Sequence, residues 1–259
     1  MLRKLEKVLM RFSGKVAIVT GGARGIGFAI AQRLGREGAA IAIADVNSGA
    51  SAEAVDQLRA AGVKAISIEC DVADEDAMDA TAQRTEAELG SVDVLIANAG
   101  LHLQGYTKPP CALSNDAWRR MLDVNLLGIV NGARSCRPAM ARRGGGVIVT
   151  ISSMAGYKGE NGYGISKLAV RGLTVALAKE LAPEGIRVCG IAPGLIGSEE
   201  VFASFPEERR QRYVNEVQLV RRLGVVEDIA GAAAYLASDE ASFVTAETLL
   251  VTGGAFCRI

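Results

Sequence analysis

Histidine is nearly absent from this chain of 259 residues, which contains one, His102. Its five cysteines, Cys70, Cys111, Cys136, Cys189 and Cys257, form no CxxC pair. Little remains from which to build a zinc site or a Ser-His-Asp triad, and no metal is expected. An odd, scattered set of thiols also argues against a disulfide framework and for reduced cysteines in a cytoplasmic protein. Excess charge of one sign is missing too, because 29 basic side chains face 29 acidic ones. No global field then draws the chain to nucleic acid or to a membrane surface. Nor does any apolar run approach the ~20 residues a membrane-spanning helix requires. Small-molecule chemistry, with no nucleic acid and no membrane, is the expectation that these absences leave.

What is present is a rhythm. Short β-branched runs alternate with Ala/Leu-rich stretches from end to end, which predicts parallel strands joined by helical crossovers. Strands are expected at Lys15–Thr20, Ala39–Ala44, Lys64–Glu69, Val92–Ala97, Gly146–Ser152, Arg187–Ala192 and Thr248–Val251. Helices are expected at Gly25–Glu37, Ala50–Ala61, Glu75–Leu89, Asn115–Arg142, Tyr163–Leu181 and Glu227–Ala237. With no repeat and no Pro/Ser-rich linker, this reads as an N-terminal extension over 1–12 and one α/β domain over 13–259. The domain is expected to be a single Rossmann-like doubly wound fold with a seven-stranded parallel sheet flanked by helices. The extension spaces Leu2, Leu5, Leu9 and Phe12 helically among basic residues and is read as an extra turn or an upstream start. Residues 196–223 break the rhythm after the sixth strand, where ligands of open α/β sheets bind, and are a candidate substrate loop.

Directly after the first strand comes Thr20-Gly21-Gly22-Ala23-Arg24-Gly25-Ile26-Gly27. Glycines let such a turn bring its backbone against a pyrophosphate at a helix N-terminus, where the dipole and free N–H groups favour anions. Asp45 ends the second strand, 20 positions after Gly25, at the separation expected of a ribose ligand. A 2′-phosphate carries about −1.5 to −2 charge. A carboxylate at ~4 Å repels each unit of it by roughly 4 kcal/mol at an effective dielectric near 20. NAD is therefore expected rather than NADP, although Arg24 in the turn would favour such a phosphate.

Tyr163 and Lys167 stand four residues apart on one helix and hence on one face. Upstream, a strand ends in Ile151-Ser152-Ser153, so hydroxyls emerge at the same sheet edge. Bringing a phenol from its usual value of about 10 to near 7 takes ~4 kcal/mol of phenolate stabilisation. Lys167 and an oxidised nicotinamide can supply that together, making an acid–base device.

With these motifs in this order, the chain resembles the short-chain dehydrogenase/reductase family over nearly its whole length. Thr20 to Gly27 matches the family's TGxxxGxG turn, Asp71-Val72 its adenine contact and Asn98-Ala99-Gly100 its NAG segment. Asn125 aligns with the asparagine that carries a water into the proton relay. Tyr163 and Lys167 align with YxxxK, Pro193-Gly194 with the turn over the nicotinamide, and Arg222 to Ala230 with RxGxPEDIA. Ile196 and Ser198 fall in the turn after Pro193-Gly194, with Ser198 replacing the family's threonine. The resemblance implies Tyr163 as general acid/base and Lys167 as the group lowering its pKa and holding the nicotinamide ribose. It implies Ser153 as the group that polarises the carbonyl, no metal, and assembly as a homodimer or homotetramer.

One departure bears on chemistry. Only ten positions separate Ser153 from Tyr163, fewer than the family's usual spacing, so Ser152 and Thr150 stay open as alternative hydroxyls. The substrate pocket is expected between Leu101–Cys111, Met154–Gly162 and Ile196–Leu223. There Leu101, Leu103, Tyr106, Phe202 and Phe205 favour a partly apolar secondary alcohol or ring ketone. Two other functions compete: an NADPH-dependent 3-oxoacyl thioester reductase, against which Asp45 argues, and a non-catalytic NAD(H) sensor, which would have no need of Tyr163, Lys167 and Asn125.

Overall fold

The structure, a computed structural model, describes residues 10–102 and 105–257. Leu103 and most of the N-terminal extension lie outside the described residues, while Phe12 is buried in the core.

The alternation of apolar runs resolves into one chain of elements. β1 (Val16–Thr20), α1 (Gly25–Arg36), β2 (Ala40–Asp45), α2 (Ser48–Ala60), β3 (Ala65–Glu69), α3 (Glu75–Leu89) and β4 (Val94–Ala97) form the first half. α4 (Asn115–Leu122), α5 (Gly128–Arg142), β5 (Gly146–Ile151), α6 (Ala155–Lys158), α7 (Gly162–Leu181) and β6 (Ile186–Pro193) follow. α8 (Glu199–Ser204), α9 (Glu207–Arg212), α10 (Val226–Ala237) and β7 (Thr248–Val251) complete it. All seven strands are parallel, in the order β3-β2-β1-β4-β5-β6-β7. Strand order reverses between β1 and β4, and the crevice outside their carboxyl ends is where a doubly wound sheet binds its ligand.

Both faces of the sheet are covered, so neighbouring strand residues enter different cores. Ala17, Val19, Ile41 and Ile43 pack under α1, α2 and α10, beside Ile30, Leu34 and Ile229. Val16, Ile18, Ala42 and Ala44 face α3, α5 and α7, beside Met78, Met140 and Val170. Helix starts follow local capping chemistry: Asn47, Asp74 and Asn161 each accept a backbone N–H of the first turn of α2, α3 and α7.

The single helix expected over Asn115–Arg142 is instead α4, a π-helical turn at Asp123–Leu127, and α5. Two contacts hold the extra residue in. Asn125 is tied to neighbouring elements, and Gly128 lies so close to Val72 that a β-carbon there would come within 2.6 Å of its Cγ2. Local periodicity cannot reveal a bulge created by such long-range contacts.

At the opposite end of the sheet, the buried carboxylate of Asp93 accepts hydrogen bonds from Val16 N–H (2.9 Å) and Ser91 Oγ (2.7 Å). Asp93→Ala leaves that buried N–H unsatisfied, at a cost of about 1–3 kcal/mol. The expected result is a lower urea midpoint at unchanged m-value; an unchanged midpoint would refute this account.

Candidate active site

Thr20 and Asn98 join the ends of β1 and β4. Thr20 Oγ1 donates to the Ile96 carbonyl and accepts from the backbone N–H groups of Asn98 and Ala99. Asn98 Nδ2 donates to the carbonyls of Thr20 (3.0 Å) and Gly21 (2.9 Å). The turn is consequently packed so closely that a β-carbon on Gly27 would lie 2.6 Å from Asn98 Nδ2. Gly25 has φ +57° and open space where a side chain would project, at the start of α1. No side chain caps α1 at Arg24, so its first N–H groups are available to an anion. This glycine cradle and uncapped helix fit a dinucleotide pyrophosphate.

Asp45 is positioned over that turn. Its Oδ2 accepts from Ala23 N–H (3.2 Å) and its Oδ1 from Asn47 N–H (3.0 Å), and each carboxylate oxygen retains a lone pair for a ribose diol. Asp71 accepts from Ala73 N–H (3.0 Å) and from Arg120 Nη2 (3.0 Å), and Val72 is anchored through its carbonyl to Asn131 Nδ2 (3.0 Å). These groups line a cleft of about 620 Å³ together with Gly21, Arg24, Gly25, Ile26, Gly27, Asn98, Ala99 and Gly100. Pro193, Gly194, Ile196 and Ser198 line it from the end of β6. Its volume suits a bound small molecule.

The end of β5 separates the three candidate hydroxyls by direction. Thr150 Oγ1 is buried against Thr174 Oγ1 (2.7 Å), and Ser152 Oγ donates to the Lys167 carbonyl (2.7 Å). Ser153 Oγ accepts from Ala155 N–H (3.1 Å) and lines the cleft beside the Tyr163 phenol. The shortened connection therefore does not separate Ser153 from Tyr163. It closes as the single turn of α6, held against α7 where Gly156 and Gly164 allow backbone to approach backbone.

Tyr163 and Lys167 are both buried at the inner end of the cleft. Burial pushes the Tyr163 phenol up to about 12, with the neighbouring Ser153 hydroxyl pulling the other way. Burial lowers the Lys167 ammonium to about 8. Lys167 Nζ donates to the Ile151 carbonyl (2.8 Å) and lies 5.9 Å from the centre of the Tyr163 ring.

Asn125 lies on the π-helical turn between α4 and α5. Its side chain does not line the cleft; it is fully buried behind it, within the π-helical turn. Oδ1 accepts from Leu101 N–H (2.7 Å), and Nδ2 donates to Ser166 Oγ (3.1 Å) and the Leu101 carbonyl (3.3 Å). Its amide thus clamps the segment after Gly100 to α7, one residue from Lys167.

Residues 196–223 cover the outer end as α8, α9 and a π-helical turn at Tyr213–Val217. The segment is closed at its base by an Ile196–Gly224 bridge and docked where Leu219 and Val220 N–H donate to the Gly253 carbonyl. Across the cleft, Tyr213 Oη donates to Met154 Sδ (3.0 Å). Leu101 and Phe205 line the cleft as expected, whereas Phe202 is largely exposed and Tyr106 contributes its carbonyl to Tyr163 N–H. His102, whose ring stacks 6.2 Å from that of Tyr163, also lines the cleft, with Met154, Lys158, Arg209 and Tyr213. All five fall in the segments expected to line the pocket, but none was singled out, because no motif marks residues brought together only by the loops.

This architecture is that of an oxidoreductase scaffold, and comparison with known proteins agrees. The family model described as Enoyl-(Acyl carrier protein) reductase matches residues 21–255. An uncharacterized oxidoreductase of Mycobacterium tuberculosis is 40% identical over 95% of this chain and 99% of its own length. The 3-oxoacyl-[acyl-carrier-protein] reductase of Staphylococcus aureus is 37% identical over 93% of this chain and 98% of its own. A 7α-hydroxysteroid dehydrogenase solved with NADH and 7-oxo glycochenodeoxycholic acid superimposes with a TM-score of 0.88 at 35% identity, over 95% of this chain and 96% of that one. The chain belongs to the short-chain dehydrogenase/reductase family of oxidoreductases.

Proposed function

We propose that this chain is an NAD(H)-dependent dehydrogenase that interconverts a secondary alcohol and a ketone, the alcohol and NAD+ giving the ketone, NADH and one proton. The observation that carries this reading is that Ser153, Tyr163 and buried Lys167 line the same cleft as the glycine turn and Asp45. Tyr163 Oη takes the hydroxyl proton in oxidation and returns it in reduction. Ser153 Oγ holds the substrate oxygen. The Lys167 ammonium favours the phenolate and holds the nicotinamide ribose, and Asn125 positions the wall behind it. Gly21 to Gly27 would cradle the pyrophosphate, and Asp45 would take the adenine ribose. Asp71, Val72, Asn98, Ala99 and Gly100 would bound the adenosine side, and Pro193, Gly194, Ile196 and Ser198 the nicotinamide side. When bound, the nicotinamide supplies the hydride acceptor or donor.

A homo-oligomer fits the exposed apolar side chains Leu127, Leu168 and Val175 around α5 and α7, and light scattering after gel filtration reads its size. A cytoplasmic location suits five free cysteines. No helix among the described residues is long and apolar enough to cross a membrane.

The first test is absorbance at 340 nm with NAD+ or NADP+ over secondary alcohols, polyols and hydroxysteroids. NADH formation is expected. Exclusive activity with NADPH and a 3-oxoacyl thioester would instead favour the reading suggested by Arg24 and the Staphylococcus aureus relative. Within the site, Ser153→Ala should lower kcat about a hundredfold, the loss typical of one removed oxyanion donor. Ser152→Ala should stay within a few fold, because its hydroxyl is bonded to the Lys167 carbonyl. The reverse ranking would move the carbonyl-polarising role to Ser152.

A further inference from the structure

The substrate end of the cleft has an unusual balance of polar groups. Leu101, Met154, Leu195, Val201 and Phe205 make its walls apolar. Uncharged polar groups are scarce there, since the Tyr213 hydroxyl is taken by Met154. The remaining polar side chains are His102, Lys158, Glu160 and Arg209.

Lys158 and Arg209 come from different walls. Lys158 ends α6, five residues after Ser153, and Arg209 lies on α9 of the covering segment. Both are exposed, and among the described residues neither has a carboxylate partner within ion-pair distance. Neighbouring arginines are committed elsewhere: Arg120 to Asp71, Arg212 to Glu216 and Arg222 to Asp228, while Arg210 donates to the Phe202 and Phe205 carbonyls. Arg209 rests on the Phe205 ring at 4.8 Å, which leaves its N–H edge available for an anion. The carboxylate of Glu160 leaves two cations against one acid at this end. Asp45 and Asp71 are held on the cofactor side.

We propose that the substrate is an apolar-bodied hydroxy acid, its carbinol at Ser153 and Tyr163 and its carboxylate held between Arg209 and Lys158. The proposal rests on the dehydrogenase reading and specifies the substrate of that same site. Apolar walls cover the body of such a molecule, and the paired cations select its far end.

The test uses full-length Tyr163→Phe protein with NADH, in which turnover is slowed enough for binding to be read, and takes Kd from nucleotide fluorescence. The probes are the keto forms of 4-hydroxycyclohexanecarboxylate and of cholate, each with its methyl ester. Each acid is expected to bind at least tenfold more tightly than its ester, with the difference shrinking with salt. Adding Arg209→Ala and Lys158→Ala together should bring acid and ester to equal affinity while leaving ester binding unchanged. Equal affinities at the outset, binding of neither acid, or a preference that survives both substitutions would overturn the proposal. So would tighter, Arg209-dependent binding of acetoacetyl-CoA, which would assign the cations to carrier phosphates. Failure to bind NADH at all would strike instead at the dehydrogenase reading, so the two failures are distinct.

Discussion

Tyr163→Phe should lower kcat by a factor of about 10² to 10⁴, the range that a positioned general acid or base contributes. NADH affinity should change little. The substitution removes one oxygen and leaves the ring in its buried position on α7, so packing survives and a thermal midpoint close to wild type is expected. pH dependence gives the second readout. Burial holds the phenol at about 12 in the protein alone, so the protonated form predominates at ordinary pH and carbonyl reduction has its proton donor ready. Alcohol oxidation needs the phenolate. The oxidation rate is therefore expected to rise with pH and the reduction rate to fall at high pH, and the Phe variant should flatten both limbs. The Lys167 ammonium, lowered to about 8 by the same burial, is most effective while it carries its proton, so Lys167→Met should move the oxidation limb to higher pH. Full turnover by the Phe variant would place the acid–base role elsewhere.

The residues that could be read from the sequence share a physical property: their roles are fixed by short-range spacing. Strand alternation, the glycine turn and the four-residue step from Tyr163 to Lys167 are local, and the structure places all three in one cleft. What escaped depends on contacts distant in sequence. The π-helical turn exists because Asn125 bonds Leu101 and Ser166, respectively 24 and 41 positions away. The same clamp removes its side chain from the cleft, which the motif alone could not indicate. The choice among Thr150, Ser152 and Ser153 was open because residue counting does not capture the direction of a hydroxyl at a strand end. In the structure Thr150 is bonded to Thr174 and Ser152 to the Lys167 carbonyl, whereas Ser153 lines the cleft beside Tyr163. Lys158, Arg209 and Tyr213 lie in segments expected around the pocket but could not be singled out there: covering loops vary in path, and their side chains acquire common neighbours only after folding.

Cofactor choice should turn on Asp45. At ~4 Å and an effective dielectric near 20, its carboxylate opposes each unit of 2′-phosphate charge by roughly 4 kcal/mol, about a thousandfold in kcat/KM for NAD+ over NADP+. Two backbone donors, Ala23 N–H and Asn47 N–H, hold the carboxylate in place, so it cannot swing away to admit the phosphate without leaving both unsatisfied. Asp45→Asn keeps an oxygen acceptor for one of those two donors and removes the charge. That variant should lose most of the discrimination while folding as wild type, whereas Asp45→Ala should also loosen the turn and weaken NADH binding. With the charge gone, Arg24, which also lines the cleft, becomes the natural phosphate partner. Arg24→Ala in the Asp45→Asn background should then depress NADP+ use more than NAD+ use. Wild-type protein that accepts NADP+ as readily as NAD+, or an Asn variant that still rejects it, would show that charge at this position does not select the nucleotide.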